Sequence, residues 1–135
     1  GVSGVISAPM AASARSWLPV EAWTEERAAW RAAIVAAQGE DQLAPLIEGW
    51  AAAAQAIRAA GGNICYEEAA AIACPVLLIN GDGEVNNLRA DFDRLAARIP
   101  SCRAVIVPGS GHSIQDDRPD ELLGLIRAFL ADVEA

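Results

Sequence analysis

The sequence predicts an α/β chain built on a parallel sheet, and three observations predict it. Two aliphatic runs, Val76-Leu-Leu-Ile79 and Ala104-Val-Ile-Val107, are bounded by proline and glycine, as strands covered on both faces are. Amphipathic segments with a period of three to four residues follow each run. The order strand, helix, strand, loop, helix then favours parallel pairing, because a crossover helix returns the chain in the same direction.

The elements can be placed in order. Val2 to Ala8 is a short apolar run stopped by Pro9 and is expected to be a strand, the first of about three. From Pro19 to about Ala60 the pattern is helical. Val20, Trp23, Arg27, Trp30 and Ile34 recur at helical spacing, Glu25 and Glu26 suit a first turn, and Gly39 suits a helix end. A second helix carries Leu43, Leu46, Ile47, Trp50, Ala54 and Ile57 on one stripe and stops at Gly61-Gly62. Cys74 to Asn80 is a strand that opens into the turn-rich loop Asp82 to Asn87. Leu88 to Ile99 is a helix with Leu88, Phe92, Leu95 and Ile99 on one face, ended by Pro100. Arg103 to Pro108 is a strand, Gly109 to Ser113 a loop, and Pro119 to Val133 a closing helix. Its Leu122, Leu125, Ile126, Phe129 and Leu130 are expected to face inward.

Composition excludes several classes of function. Hydrophobic residues make up 53%, much of it alanine, so the chain folds around a core of modest bulk. Eighteen acidic against ten basic residues give a net charge of −8, which argues against nucleic acid as a partner. All ten basic residues are arginines, so lysine-based Schiff-base chemistry is not expected. Cys65, Cys74 and Cys102 are odd in number and widely spaced, which fits reduced thiols better than a disulfide framework or a zinc site. With a single histidine and no clustered ligands, no metal and no cofactor are expected. No apolar stretch is long enough to span a membrane and the start does not resemble a signal peptide, so a soluble, cytoplasmic protein is expected.

In a parallel sheet, catalytic groups gather at the carboxyl ends of strands. One such end opens into Gly81-Asp82-Gly83-Glu84, the other into Gly109-Ser110-Gly111-His112, which holds the only histidine. Flanking glycines let the backbone turn sharply and expose the imidazole. A carboxylate from the neighbouring strand end could hold its Nδ1–H and leave Nε2 to take a proton from a hydroxyl nucleophile. The plainer alternatives are a histidine that caps the helix near Pro119 and acids that are solvated turn residues.

These segments resemble the α/β-hydrolase family. Cys74 to Glu84 looks like its acid strand and loop, and Ile106-Val-Pro-Gly-Ser-Gly-His112 like its histidine loop. Gly62-Asn-Ile-Cys65, with Trp50 on the preceding helix, is similar to the valacyclovir hydrolase (biphenyl hydrolase-like) group. The resemblance implies a single partial domain over residues 1–135, the C-terminal half of that fold. It would comprise a strand in residues 1–10, cap-like helices in 17–62, and the acid and histidine units in 74–135. It implies a serine-hydrolase type of chemistry on esters or amides, with His112 as base and Glu84 or Asp82 as its acid. Glu84 stands where the family usually has aspartate, and Asp82 is the substitute two residues earlier. Trp17, Trp23, Trp30 and Trp50 lie in the cap-like part, where core packing is the default and ligand contact the alternative.

The family's nucleophile elbow, Gly-x-Ser-x-Gly, is not found. Gly1-Val-Ser-Gly-Val5 lacks the second glycine, so Ser3 is a poor nucleophile. The chain is therefore expected to be inactive alone and to pair through its first strand, either as a homodimer or with a complementary N-terminal hydrolase chain. The competing expectation is a catalytically dead, dimeric binding or scaffold module derived from a hydrolase.

Overall fold

The computed structural model describes residues 4–134. They fall into two compact units. One is Ala8–Gly62; the other joins the residues before Ala8 to those from Asn63 onward.

The Ala8–Gly62 unit is helical: α1 (Ala8–Arg15), α2 (Ala28–Gln38) and α3 (Leu43–Ala59), linked by single 3-10 turns at Val20–Ala22, Glu25–Arg27 and Glu40–Gln42. Here the strand expected over Val2 to Ala8 is corrected. Val2 and Ser3 lie outside the described residues, Val5 makes one antiparallel bridge to Asn63, and Ala8 already begins α1. Pro9 does not end an element. It sits in the first turn of a helix, where the missing N–H would have had no intrahelical acceptor.

Gly39 and Gly62 end their helices as expected, with φ of 95° and 84°. The Gly39 N–H bonds to the Val35 carbonyl and the Gly62 N–H to the Ile57 carbonyl, which satisfies carbonyls a helix end would orphan. The core of this unit is Val20, Leu43 and Ile47 with Trp17, Trp23, Ile34 and Val35 around them. Trp17 is the hub of the tryptophans: Trp23, Trp30 and Trp50 all meet it edge to face at 5.4 to 6.0 Å. Leu46 and Trp50, placed inward by the helical stripe, are about half exposed.

The second unit holds a parallel two-stranded sheet, β1 (Val76–Gly81) and β2 (Cys102–Val107), in register from Val76 opposite Cys102 to Gly81 opposite Val107. Two strands, not three, form among the described residues. α4 (Arg89–Arg98) crosses between them, and α5 (Ile114–Asp117) and α6 (Pro119–Glu134) follow. Strand alternation puts Val76, Leu78 and Asn80 on one face. There Leu78 joins Phe92 and Leu95 of α4 and Ile99 just after it in the core, with Tyr66, Ile72 and Ile106 beside them. Leu88 caps α4 and is exposed instead of sharing its buried face.

The segment Gly62 to Cys65 is a turn. The Ile64 and Cys65 amides both donate to the Gly4 carbonyl, and the Asn63 side-chain oxygen accepts the Glu67 N–H. α6 departs from expectation. None of its residues is fully buried, and Leu123, Ile126, Leu130 and Val133 form an exposed stripe at helical spacing.

Candidate active site

Both strands end at the same level, so the loops that follow them meet. The Asp82 N–H donates to the Val107 carbonyl at 3.1 Å and the Gly83 N–H to the Ser110 carbonyl at 2.9 Å. The Gly109 N–H in turn donates to Asp82 Oδ1 at 2.9 Å. This close approach needs Gly81: a Cβ there would lie 2.3 Å from the Ser110 carbonyl oxygen.

Further contacts shape the histidine loop. Gly109 takes the left-handed region, with φ of 65°. The Gly111 N–H donates to Asp117 Oδ2 at 2.7 Å, and the Arg118 guanidinium reaches the Pro108 carbonyl. The Ser113 carbonyl accepts the Asp116 and Asp117 amides and so begins α5.

These constraints separate the two acids. Asp82 is spent on the loop backbone. The carboxylate that reaches the histidine is Glu84, whose Oε2 lies 2.6 Å from His112 Nδ1. Glu84 Oε1 accepts the Asn86 N–H at 2.7 Å, and Oε2 also accepts the Asn87 side-chain amide at 3.3 Å. The Glu84 side chain is 1% exposed and that of His112 65% exposed. Burial works to raise the Glu84 pKa, but the Asn86 amide, His112 and the Asn87 donors outweigh it and lower the group from 4.5 to about 2.

An ionised carboxylate only accepts hydrogen bonds, so the His112 Nδ1 must be the protonated, donating nitrogen. In the neutral ring Nε2 is then a free base on the exposed side. Among the described residues His112 has no other hydrogen-bond partner. Ser110 is turned inward onto the Val107 carbonyl. Ser3 lies outside the described residues.

Three residues of this site escaped sequence reading: Asn80, Asn86 and Asn87. A polar residue at the end of an aliphatic strand, and an Asn-Asn pair two residues after an acid, were the available signals. Among the described residues no group of histidine, cysteine or acidic side chains could hold a metal ion.

The depressed pKa has a measurable consequence. Its stabilising effect is complete above about pH 4.5 and lost as pH falls through about 2. Across that window the stability difference between the chain and Glu84→Gln should shrink by roughly 3 kcal/mol. Urea unfolding at stepped pH checks this, and a difference that stays constant would contradict it.

A family model described as the alpha/beta hydrolase family matches residues 2–125. The chain belongs to the alpha/beta hydrolase family. Several solved structures are similar to it. An esterase from Thermogutta terrifontis, solved with malate bound, is 21% identical with a TM-score of 0.57 over 98% of this chain and 54% of that one. A hydrolase from Pseudomonas aeruginosa PA01 is 19% identical, with a TM-score of 0.56 over 94% of this chain and 52% of that one. The enol-lactonase from Burkholderia xenovorans LB400 is 27% identical, with a TM-score of 0.54 over 93% of this chain and 46% of that one. This alpha/beta hydrolase chain thus spans about half the length of the structures it matches. A search of curated proteins returns no match. No described helix is long and apolar enough to cross a membrane.

Proposed function

We propose that this alpha/beta hydrolase chain supplies the general base and the orienting acid of a serine-type hydrolase acting on carboxylic esters or amides. The observation that carries the reading is the 2.6 Å contact between His112 Nδ1 and a buried, ionised Glu84. Nε2 takes the proton of an approaching serine hydroxyl and later returns it to the leaving group. Glu84 holds the tautomer and stabilises the imidazolium that forms between those steps. An esterase and an enol-lactonase among the matched structures support carbonyl chemistry of this class. Within the family, Gly62-Asn-Ile-Cys65 supports the valacyclovir hydrolase-like group. The unpaired thiols of Cys65, Cys74 and Cys102 support a reducing, cytoplasmic setting.

The serine comes, in this reading, from a nucleophile elbow on a segment other than the described residues, whether carried by the same polypeptide or by a second one. The 135-residue chain alone should neither hydrolyse p-nitrophenyl acetate nor react with a fluorophosphonate probe. Assembled with a segment that carries a serine elbow, in one polypeptide or in two, it should do both. Labelling of the isolated chain would place the nucleophile within it and overturn this assignment.

A further inference from the structure

We infer that Asn87, anchored by Asn80, is the positioning residue that lets a glutamate serve as the acid partner of His112. The inference rests on the hydrolase reading only for its kinetic consequences; the geometry stands apart from it. A glutamate has one more rotatable bond than an aspartate, and an unbraced carboxylate on it turns freely about its last torsion. The Asn86 N–H holds Oε1, and the Asn87 backbone also donates to the carboxylate. The Asn87 side-chain amide takes Oε2, the oxygen that faces His112, so the two carboxylate oxygens are held by consecutive residues.

Asn87 needs a fixed base to do this, and Asn80 provides one. Asn80 stands opposite Ile106 in the sheet and is 2% exposed, as is Asn87. Its side-chain Nδ2 donates to the Asn87 carbonyl at 3.2 Å. A rigid strand therefore sets the position of a loop residue seven places later. On the other side, the Ser7 hydroxyl donates to the Asn86 carbonyl at 2.8 Å. A second observation comes from the cost of this arrangement. Asn80 Oδ1 is buried without a hydrogen-bond partner among the described residues, on the strand face that otherwise carries Val76 and Leu78. An aliphatic residue would avoid that desolvation, so the amide is explained by the position it imposes and not by stability.

Ring 15N shifts of His112 in the isolated chain test the inference without any turnover. The neutral ring should be mainly the Nδ1–H tautomer. In Asn87→Ala, which removes the side-chain donor on Oε2, it should shift toward the mixture of a free imidazole, where Nε2–H predominates. Asn87→Asp keeps the shape but loses the donor and should not restore the Nδ1–H form. A folded Asn87→Ala chain with an unchanged tautomer overturns the inference. If that variant fails to fold, the unsubstituted chain decides: its Asn87 side-chain amide protons should exchange with solvent about 100-fold more slowly than those of an exposed asparagine. Exchange at the exposed rate overturns it. In the assembled hydrolase Asn87→Ala should lower kcat about tenfold with KM unchanged. Absence of any hydrolysis would instead count against the proposed function and leave the tautomer result standing.

Discussion

Replacing His112 by alanine in the assembled hydrolase is expected to lower kcat by about 10,000-fold or more, with KM little changed. Among the described residues the imidazole Nε2 is the only free base at the joined strand ends, and nothing else described there can take its place. Glu84→Gln should cost nearly as much. A glutamine amide can donate to Nδ1, which would then become the unprotonated nitrogen and turn Nε2 from acceptor to donor. Asp82→Asn should keep kcat within the same order of magnitude, since an asparagine oxygen can still accept the Gly109 N–H. Aryl-ester hydrolysis at neutral pH, measured for all three variants, checks this. An Asp82→Asn loss as large as that of Glu84→Gln would assign the acid wrongly.

The second large effect is on stability. Gly81→Ala should destabilise the fold by about 3 kcal/mol and lower Tm by about 10 °C. The added Cβ would meet three backbone atoms of residues 110 and 111, at 2.3, 2.5 and 2.7 Å. Backbone cannot rotate away as a side-chain end can, so the two loops must part. Parting breaks the Asp82 to Val107 and Gly83 to Ser110 hydrogen bonds and draws Glu84 away from His112. Gly49→Ala is the control. Nothing lies within 4 Å of a Cβ there, and the residue is inside α3, so alanine should stabilise by about 0.5–1 kcal/mol. Thermal unfolding of both variants checks the pair, and equal effects would contradict it.

The sequence by itself determined the parallel pairing of β1 with β2, the helix between them, and the histidine loop. These features are local: aliphatic runs, helical periodicity and glycine around a lone histidine are set by neighbours in the chain. The alpha/beta hydrolase family followed from the same motifs. The tertiary structure alone decided the rest. Asp82 and Glu84 were both candidates on paper, Glu84 by its place in the family pattern and Asp82 as its substitute, and only the bond from Asp82 to Gly109 across the loops turned one acid to the backbone and left the other for His112. Asn80 and Asn87 could not be read as a relay, because their meaning lies in which buried groups they reach. The first segment read as a strand because it is apolar, yet a strand needs a partner along its length. Among the described residues this segment makes one isolated antiparallel bridge, from Val5 to Asn63. The sequence placed Leu122, Leu125, Ile126, Phe129 and Leu130 of α6 inward, but amphipathic spacing shows which face wants cover and is silent on what covers it. Periodicity reports the elements, and contacts between residues distant in sequence chose the site.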